Sequence, residues 1–115
     1  MNSRQQGVSH EVTVVQTGGF NKADTTQLGS GQCATALQTG VDNLINLTQT
    51  GKNNSGNLTQ LEVSNGAFLL QSGSFLTASV GQLGGFNHVS ISQFGQNQDS
   101  QVIQIGINNH SRIHQ

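Results

Sequence analysis

The chain has 115 residues with a formal net charge of −1 at pH 7, and only 8% of its residues are charged. Its four basic residues, Arg4, Lys22, Lys52 and Arg112, are scattered, which argues against a nucleic-acid partner because phosphate binding needs a basic patch. Cys33 is the single cysteine, so an internal disulfide is excluded, and no apolar run approaches the ~18 residues that membrane insertion needs.

A glutamine recurs every eleven residues from one end of the chain to the other. The series is Gln5, Gln16, Gln27, Gln38, Gln49, Gln60, Gln71, Gln82, Gln93, Gln104 and Gln115. A glycine follows two residues after nearly every one, and Glu62 is the exception. This strict period predicts a repeat architecture and argues against a disordered or prion-like tract. The recurring glycine and the many β-branched residues argue against an eleven-residue helical supercoil.

Residues 1–10 form a half repeat at the start of the chain. Their sequence, MNSRQQGVSH, lacks the apolar segment of a secretory signal peptide. We therefore expect either a protein that stays inside the cell or a mature chain to which a start methionine was added.

Five repeats follow, at 11–32, 33–54, 55–76, 77–98 and 99–115, and the whole chain is predicted to form one solenoid domain. Each repeat holds two strands of about six residues, each followed by a Gly-x-x-Asn-type turn, since glycine and asparagine tolerate positive φ. Every second turn carries an asparagine: Asn21, Asn43, Asn65, Asn87 and Asn109. The intervening turns carry His10, Gln32, Asn54, Leu76 and Gln98 at the same place.

The residues before each glutamine alternate between two faces of a strand. Ile45 and Leu47 precede Gln49 by four and two places, with polar Asn46 between them, and the other units follow a similar pattern, with Phe68 as the exception at the polar place. Such alternation predicts strands with one buried face. We therefore predict an all-β parallel β-solenoid of strand–turn–strand rungs, with about 5.5 rungs and two facing sheets whose strands stack ~4.8 Å apart.

The glutamines fall on the inward face, where residues 22 apart stack on one another. We predict one amide ladder of Gln16, Gln38, Gln60, Gln82 and Gln104, a second of Gln27, Gln49, Gln71, Gln93 and Gln115, and a stacked column of the five turn asparagines. A buried amide without a partner would cost a few kcal/mol, which a ladder avoids. No proline or charge run blocks either end of the solenoid, so we expect both ends to template another copy.

Some outward positions carry apolar or aromatic residues. Phe68, Leu70 and Phe94 predict an apolar strip on one sheet, suited to a lateral contact or simply exposed. His88 and His110 are 22 residues apart and should stack at one corner, but two imidazoles without a carboxylate make a poor metal site. We therefore expect no metal and no cofactor.

The carboxylates Asp24, Asp42, Glu62 and Asp99 are predicted to lie outward or in turns, where they would slow assembly as gatekeepers. No two of them converge in a cleft, so no acid–base pair and no enzyme activity are expected. Cys33 is predicted to lie outward at a strand start as a free thiol.

The segments Asn21-x-Ala23-x3-Gln27 and Asn65-x-Ala67-x3-Gln71, each preceded by a Gln-x-Gly, resemble the curlin repeat. The resemblance covers about residues 10–115. The chain departs from the pattern where Ile45, Val89 and Ser111 replace the alanine and where Glu62 replaces the glycine. The leading serine becomes His10, Gln32, Asn54, Leu76 and Gln98.

Curlins are subunits of curli, the extracellular amyloid fibres of Gram-negative bacteria. The resemblance implies a secreted subunit of biofilm matrix and surface adhesion, exported through an outer-membrane channel and joined to a nucleator subunit and to copies of itself. It leaves open whether this is the major subunit or the nucleator. It also implies that subunits join through the inward amides of the terminal strands: Gln5, Gln16, Asn21, Gln27, Gln104, Asn109 and Gln115.

Two other functions are compatible with a β-solenoid. An ice-binding protein would need regular threonine rows, but the outward rows that begin at Thr13 and Thr17 lose their threonines along the axis. A carbohydrate-active β-helix would be longer and would carry carboxylate clusters. The odd strand count further predicts that stacked copies are turned by half a revolution, with a rise of roughly 26 Å.

Overall fold

The computed structural model describes residues 2–115, which form eleven β-strands and no helix. The strands are β1 (Asn2–Val8), β2 (Glu11–Gly19), β3 (Lys22–Ser30), β4 (Cys33–Val41), β5 (Leu44–Lys52), β6 (Ser55–Val63), β7 (Gly66–Ser74), β8 (Thr77–Leu83), β9 (His88–Gln96), β10 (Asp99–Ile105) and β11 (His110–His114). Within residues 2–115 there is accordingly no helix long and apolar enough to cross a membrane. The all-β prediction is confirmed.

The strands form two sheets, and each strand pairs in parallel with the strand two places later. The odd-numbered strands make a six-stranded sheet, β1-β3-β5-β7-β9-β11, and the even-numbered strands make a five-stranded sheet, β2-β4-β6-β8-β10. Gln27 pairs with Gln49 and Gln38 pairs with Gln60, so the register advances by 22 residues per turn. The predicted parallel solenoid is confirmed, and it forms a flat slab of 35 × 26 × 11 Å.

The core is a thin layer between the two sheets. Every second residue of a strand points into it, as Ile45, Leu47 and Gln49 do from β5, because successive side chains of a strand point to opposite faces. The buried apolar residues are Ala23, Ala34, Ala36, Ile45, Leu47, Leu58, Ala67, Leu69, Leu76, Ala78, Val80, Val89, Ile91 and Val102. Val12, Val14 and Ile113 also contact this core but stay partly exposed, because they lie at its two ends.

The strands are longer than the six residues expected, and most have nine, because pairing continues past the glutamine and its glycine. The position four after each glutamine, rather than the asparagine, takes the left-handed conformation, with φ between 54° and 64°. These residues are Ser9, Phe20, Gly31, Asp42, Asn53, Ser64, Phe75, Phe86, Asn97 and Asn108. The expectation that the turn asparagine supplies positive φ is therefore wrong at Asn21 and its equivalents.

The backbone conformation two places after each glutamine favours glycine. Gly51 has a φ of 118°, and a Cβ there would lie 1.9 Å from the carbonyl oxygen of Gly73 in the next rung. Glu62 occupies this position with a φ of 86°. The β6–β8 pairing stops at Leu61, whereas the β4–β6 pairing continues to Val63.

Candidate functional site

The inward glutamines form two continuous amide ladders. In the six-stranded sheet Nε2 of each glutamine donates to Oε1 of the glutamine 22 residues later, over 2.8 to 3.2 Å, from Gln5 through Gln27, Gln49, Gln71 and Gln93 to Gln115. In the five-stranded sheet the same bonds, over 2.7 to 3.0 Å, join Gln16, Gln38, Gln60, Gln82 and Gln104. Gln5 thus extends the ladder predicted to begin at Gln27.

Each interior amide also makes a bond across the core. Nε2 of Gln49 donates to the carbonyl of Cys33 at 3.0 Å, and Nε2 of Gln60 donates to the carbonyl of Leu44 at 3.0 Å. Both donor hydrogens are therefore used, and the buried amides from Gln27 to Gln93 have no exposure above 1%. This bond joins the two sheets, and the spacing of residues in the sequence did not predict it.

The turn asparagines stack as predicted but bond to the backbone rather than to one another's side chains. Nδ2 of Asn43 donates to the carbonyls of Thr39 and Glu62, at 3.2 and 3.1 Å, and its Oδ1 accepts the N–H of Asn65 at 3.0 Å. The same pattern recurs at Asn65 and Asn87. Each asparagine therefore closes the turn between two strands, called an arc here, and bonds that arc to the arc of the next rung.

The opposite corner is less uniform, because only one of its five residues is an asparagine. Asn54 makes the full set of bonds, including one from the N–H of Leu76 to its Oδ1 at 3.1 Å. Gln32 keeps the two donor bonds, but its buried Oε1 meets no donor, and Oε1 of Gln98 is likewise without a partner among the described residues. Leu76 is buried and supplies no side-chain bond at all.

The N-terminal end of the solenoid presents acceptors. Gln5 and Gln16 each donate to the next glutamine, and within residues 2–115 their Oε1 atoms accept no hydrogen bond. Asn21 lies just above them and donates to the carbonyls of Thr17 and Gly40. β1 and β2 are the free edges of their sheets at this end.

The C-terminal end carries the last amide donor of each ladder, and two serines bond to the amides there. Nε2 of Gln104 donates to the carbonyl of His88 at 3.1 Å and to Oγ of Ser111 at 3.0 Å, where an interior glutamine would reach the next amide. Ser100 Oγ donates to Oε1 of Gln115 at 2.7 Å. These serines were not singled out from the sequence, although a signal exists: the position four before the glutamine is apolar or glycine until Ser100 and Ser111.

The outward residues lie where they were predicted. Phe68, Leu70 and Phe94 are exposed on the six-stranded sheet, which confirms their orientation but not a lateral contact. The rings of His88 and His110 stack with their centroids 5.1 Å apart, and Phe68 lies against His88 at 5.3 Å. Burial and the neighbouring charge of His110 lower the pKa of His88.

The other polar groups do not assemble into a chemical site. Within residues 2–115 no group of three or more His, Cys, Asp or Glu side chains comes together. Asp24 pairs with Lys22 at 3.2 Å, and Cys33 is a half-buried free thiol at the start of β4.

A comparison with protein families finds a match over β3, β4 and most of β5. Residues 21–51 match the family model described as the curlin associated repeat. This segment of the chain is therefore similar to a curlin repeat. The same 22-residue register continues outside the matched segment over all eleven strands. No curated protein matches the chain.

Proposed function

We propose that this curlin-repeat chain is a structural subunit that assembles head to tail, with copies of itself, into an extracellular functional amyloid fibre. The fibre would belong to the biofilm matrix and mediate adhesion. By family resemblance, a nucleator subunit would start its growth and an outer-membrane channel would export it. The proposal rests on the curlin associated repeat together with the chemistry of the two solenoid ends.

The observation that carries the proposal is the complementarity of the ends. The N-terminal end offers the Oε1 atoms of Gln5 and Gln16. The C-terminal end offers Nε2 of Gln115, which donates no bond within residues 2–115, and Nε2 of Gln104, which would exchange Ser111 for the incoming amide. Each end also has two free sheet edges, and unblocked edges of this kind favour the addition of further strands. A second copy supplies what each end lacks.

The free backbone groups at the C-terminal edge can be named. Gln115 bonds back to β9 through both its N–H and its carbonyl. Successive residues of a strand direct these groups to opposite neighbours, so the N–H of Arg112 and that of His114 point to the open edge. A proline at residue 112 would remove a donor for the incoming strand without breaking a bond inside the subunit.

This gives a direct test of assembly. The chain should show concentration-dependent thioflavin fluorescence, fibres by electron microscopy and a diffraction spacing of about 4.8 Å along the fibre. Arg112→Pro should leave the monomer folded and abolish growth at that end, whereas the control Arg112→Ala should grow like the parent chain. A soluble species that stays monodisperse at high concentration would refute the proposal.

No specific observation favours ice binding. The three outward rows of the five-stranded sheet that begin at Thr13, Val15 and Thr17 have 15 places, and threonine fills only five of them: Thr13, Thr17, Thr35, Thr39 and Thr59. Exposed Leu83, Ile103 and Ile105 end two of these rows. A thermal-hysteresis assay separates this function from fibre formation.

A further inference from the structure

We propose that successive copies join through a half-turn joint, in which β1 of the incoming copy pairs with β10 and its β2 pairs with β11. This inference rests on the proposed assembly. Eleven strands divide unequally between the sheets, so the six-stranded sheet extends half a rung beyond the five-stranded sheet at both ends. Two such ends fit together only when the protruding β1 of one copy enters the recess above β10 of the other.

The inward residues agree with this joint. Continuing the 22-residue register places Gln5 of the incoming copy on Gln104 and its Gln16 on Gln115, so both ladders continue from donor to acceptor. The same register places Val14 of the incoming copy on Ile113. Both are among the three partly exposed members of the hydrophobic core, and the joint covers them with each other.

The charges agree as well. His110 begins β11 and Glu11 begins β2, so the register places Glu11 of the incoming copy directly above His110, about 4.8 Å away along the sheet. The stacked column at this corner would then consist of His88 and His110 of one copy followed by Glu11 of the incoming copy. The exposed carboxylate would face an imidazole rather than another carboxylate.

A joint without rotation is poorer in strand pairing, in core contact and in charge, and it continues only one of the two ladders. It would place β1 on β11, which leaves the space of one strand empty between β10 and the next β2. Val14 would have no partner, whereas Ser3 meets an apolar residue in either joint, Ile113 here and Val102 in the half-turn joint. Glu11 would lie on the opposite sheet from His110.

Helical reconstruction of the fibres formed by this 115-residue chain tests the geometry. The half-turn joint predicts a rotation close to 180° per copy and a rise of about 26 Å, whereas the unrotated joint predicts no rotation and a rise of about 29 Å. Fibres with the second symmetry would overturn the joint and leave the proposed function intact. If no fibres form, the proposed function itself fails.

A charge exchange tests the register independently of imaging. The variant His110→Glu would place a second glutamate directly beneath Glu11 of the incoming copy. Because like charges repel, we expect elongation at low salt to slow by about tenfold. The control His114→Glu adds the same charge to the same strand opposite Val15, and its rate should stay within about twofold of the parent chain. The double variant Glu11→Lys with His110→Glu should recover the parent rate. Failure of this rescue, with both single variants folded, would overturn the predicted register.

Discussion

Nε2 of Gln49 lies 2.8 Å from Oε1 of Gln71, 22 residues further along the chain, and 3.0 Å from the carbonyl oxygen of Cys33 on the other sheet. One amide thus joins two rungs along the axis and two sheets across it. Its own Oε1 accepts from Gln27 at 2.8 Å. Loss of this one side chain therefore removes hydrogen bonds in both directions.

Gln49→Leu should be strongly destabilising. It removes the acceptor of one N–H of Gln27, the donor to Oε1 of Gln71 and the cross-core donor to the carbonyl of Cys33. At roughly 1–3 kcal/mol for each buried unpaired group, the free energy of unfolding should fall by about 3 kcal/mol or more. Urea unfolding followed by circular dichroism, at concentrations too low for association, measures the loss. The control Gln115→Leu lies at an exposed end and removes only the acceptor of Gln93 and Ser100, so it should cost less than Gln49→Leu; equal losses would contradict this account.

Gln32→Asn should be stabilising. The longer glutamine leaves its buried Oε1 without a donor, whereas Asn54, one rung above, accepts the N–H of Leu76. An asparagine at residue 32 places its oxygen where the N–H of Asn54 can reach it, and we expect a gain of about 1 kcal/mol. Gln98→Asn is the matched control, because the described chain has no rung above it and the gain should be absent. Thermal unfolding of both variants checks the difference.

Glu62→Gly should relieve backbone strain. Glu62 adopts a φ of 86° at the place where the repeat otherwise has glycine, and the hydrogen bond from the N–H of Gly84 to the carbonyl of Leu61 is long, at 3.3 Å. Left-handed strain costs about 1–3 kcal/mol, and the entropy of a new glycine offsets part of it, so we expect a net gain of about 1 kcal/mol. Glu62→Gln keeps the Cβ and removes the charge. A gain of the same size in Glu62→Gln would show that charge, not backbone geometry, is responsible.

Acid should weaken the fold of the monomer through His88. Burial and the charge of His110 lower its pKa, so the unfolded chain binds more protons than the folded chain as the pH falls below the ordinary histidine value. The free energy of unfolding should therefore decline on acidification through that range and level off below the folded-state pKa. His88→Asn should flatten this dependence, while His114→Asn, which changes a histidine outside the stacked pair, should preserve it. Urea unfolding over a series of pH values provides the measurement.

The fold could be predicted from the sequence because two periods agree. The eleven-residue spacing of Gln38, Gln49 and Gln60 fixes which residues stack, and the alternation of Ile45, Asn46 and Leu47 fixes which of them point inward. A slip of one residue would bury the polar face, so only one register satisfies both patterns. The two sheets and the amide columns follow from that register.

The arcs could not be predicted in the same way, because spacing shows which residues stack but not which atoms bond. Asn43 was expected to adopt positive φ and instead bonds three backbone groups. Phe20, whose bulky side chain disfavours the left-handed region, adopts it with a φ of 57°. The closed arc imposes this conformation against the local preference.

The one-way orientation of the amide ladders has an electrical consequence. In the sheets, backbone dipoles alternate in direction and largely cancel, but the glutamine amides all point their N–H groups toward the C-terminal end. Their dipoles, each about as large as the ~3.5 debye of a peptide unit, add along the axis to on the order of tens of debye per copy. Fibres in which all copies point in the same direction would carry a permanent electric dipole moment and would align in an applied electric field.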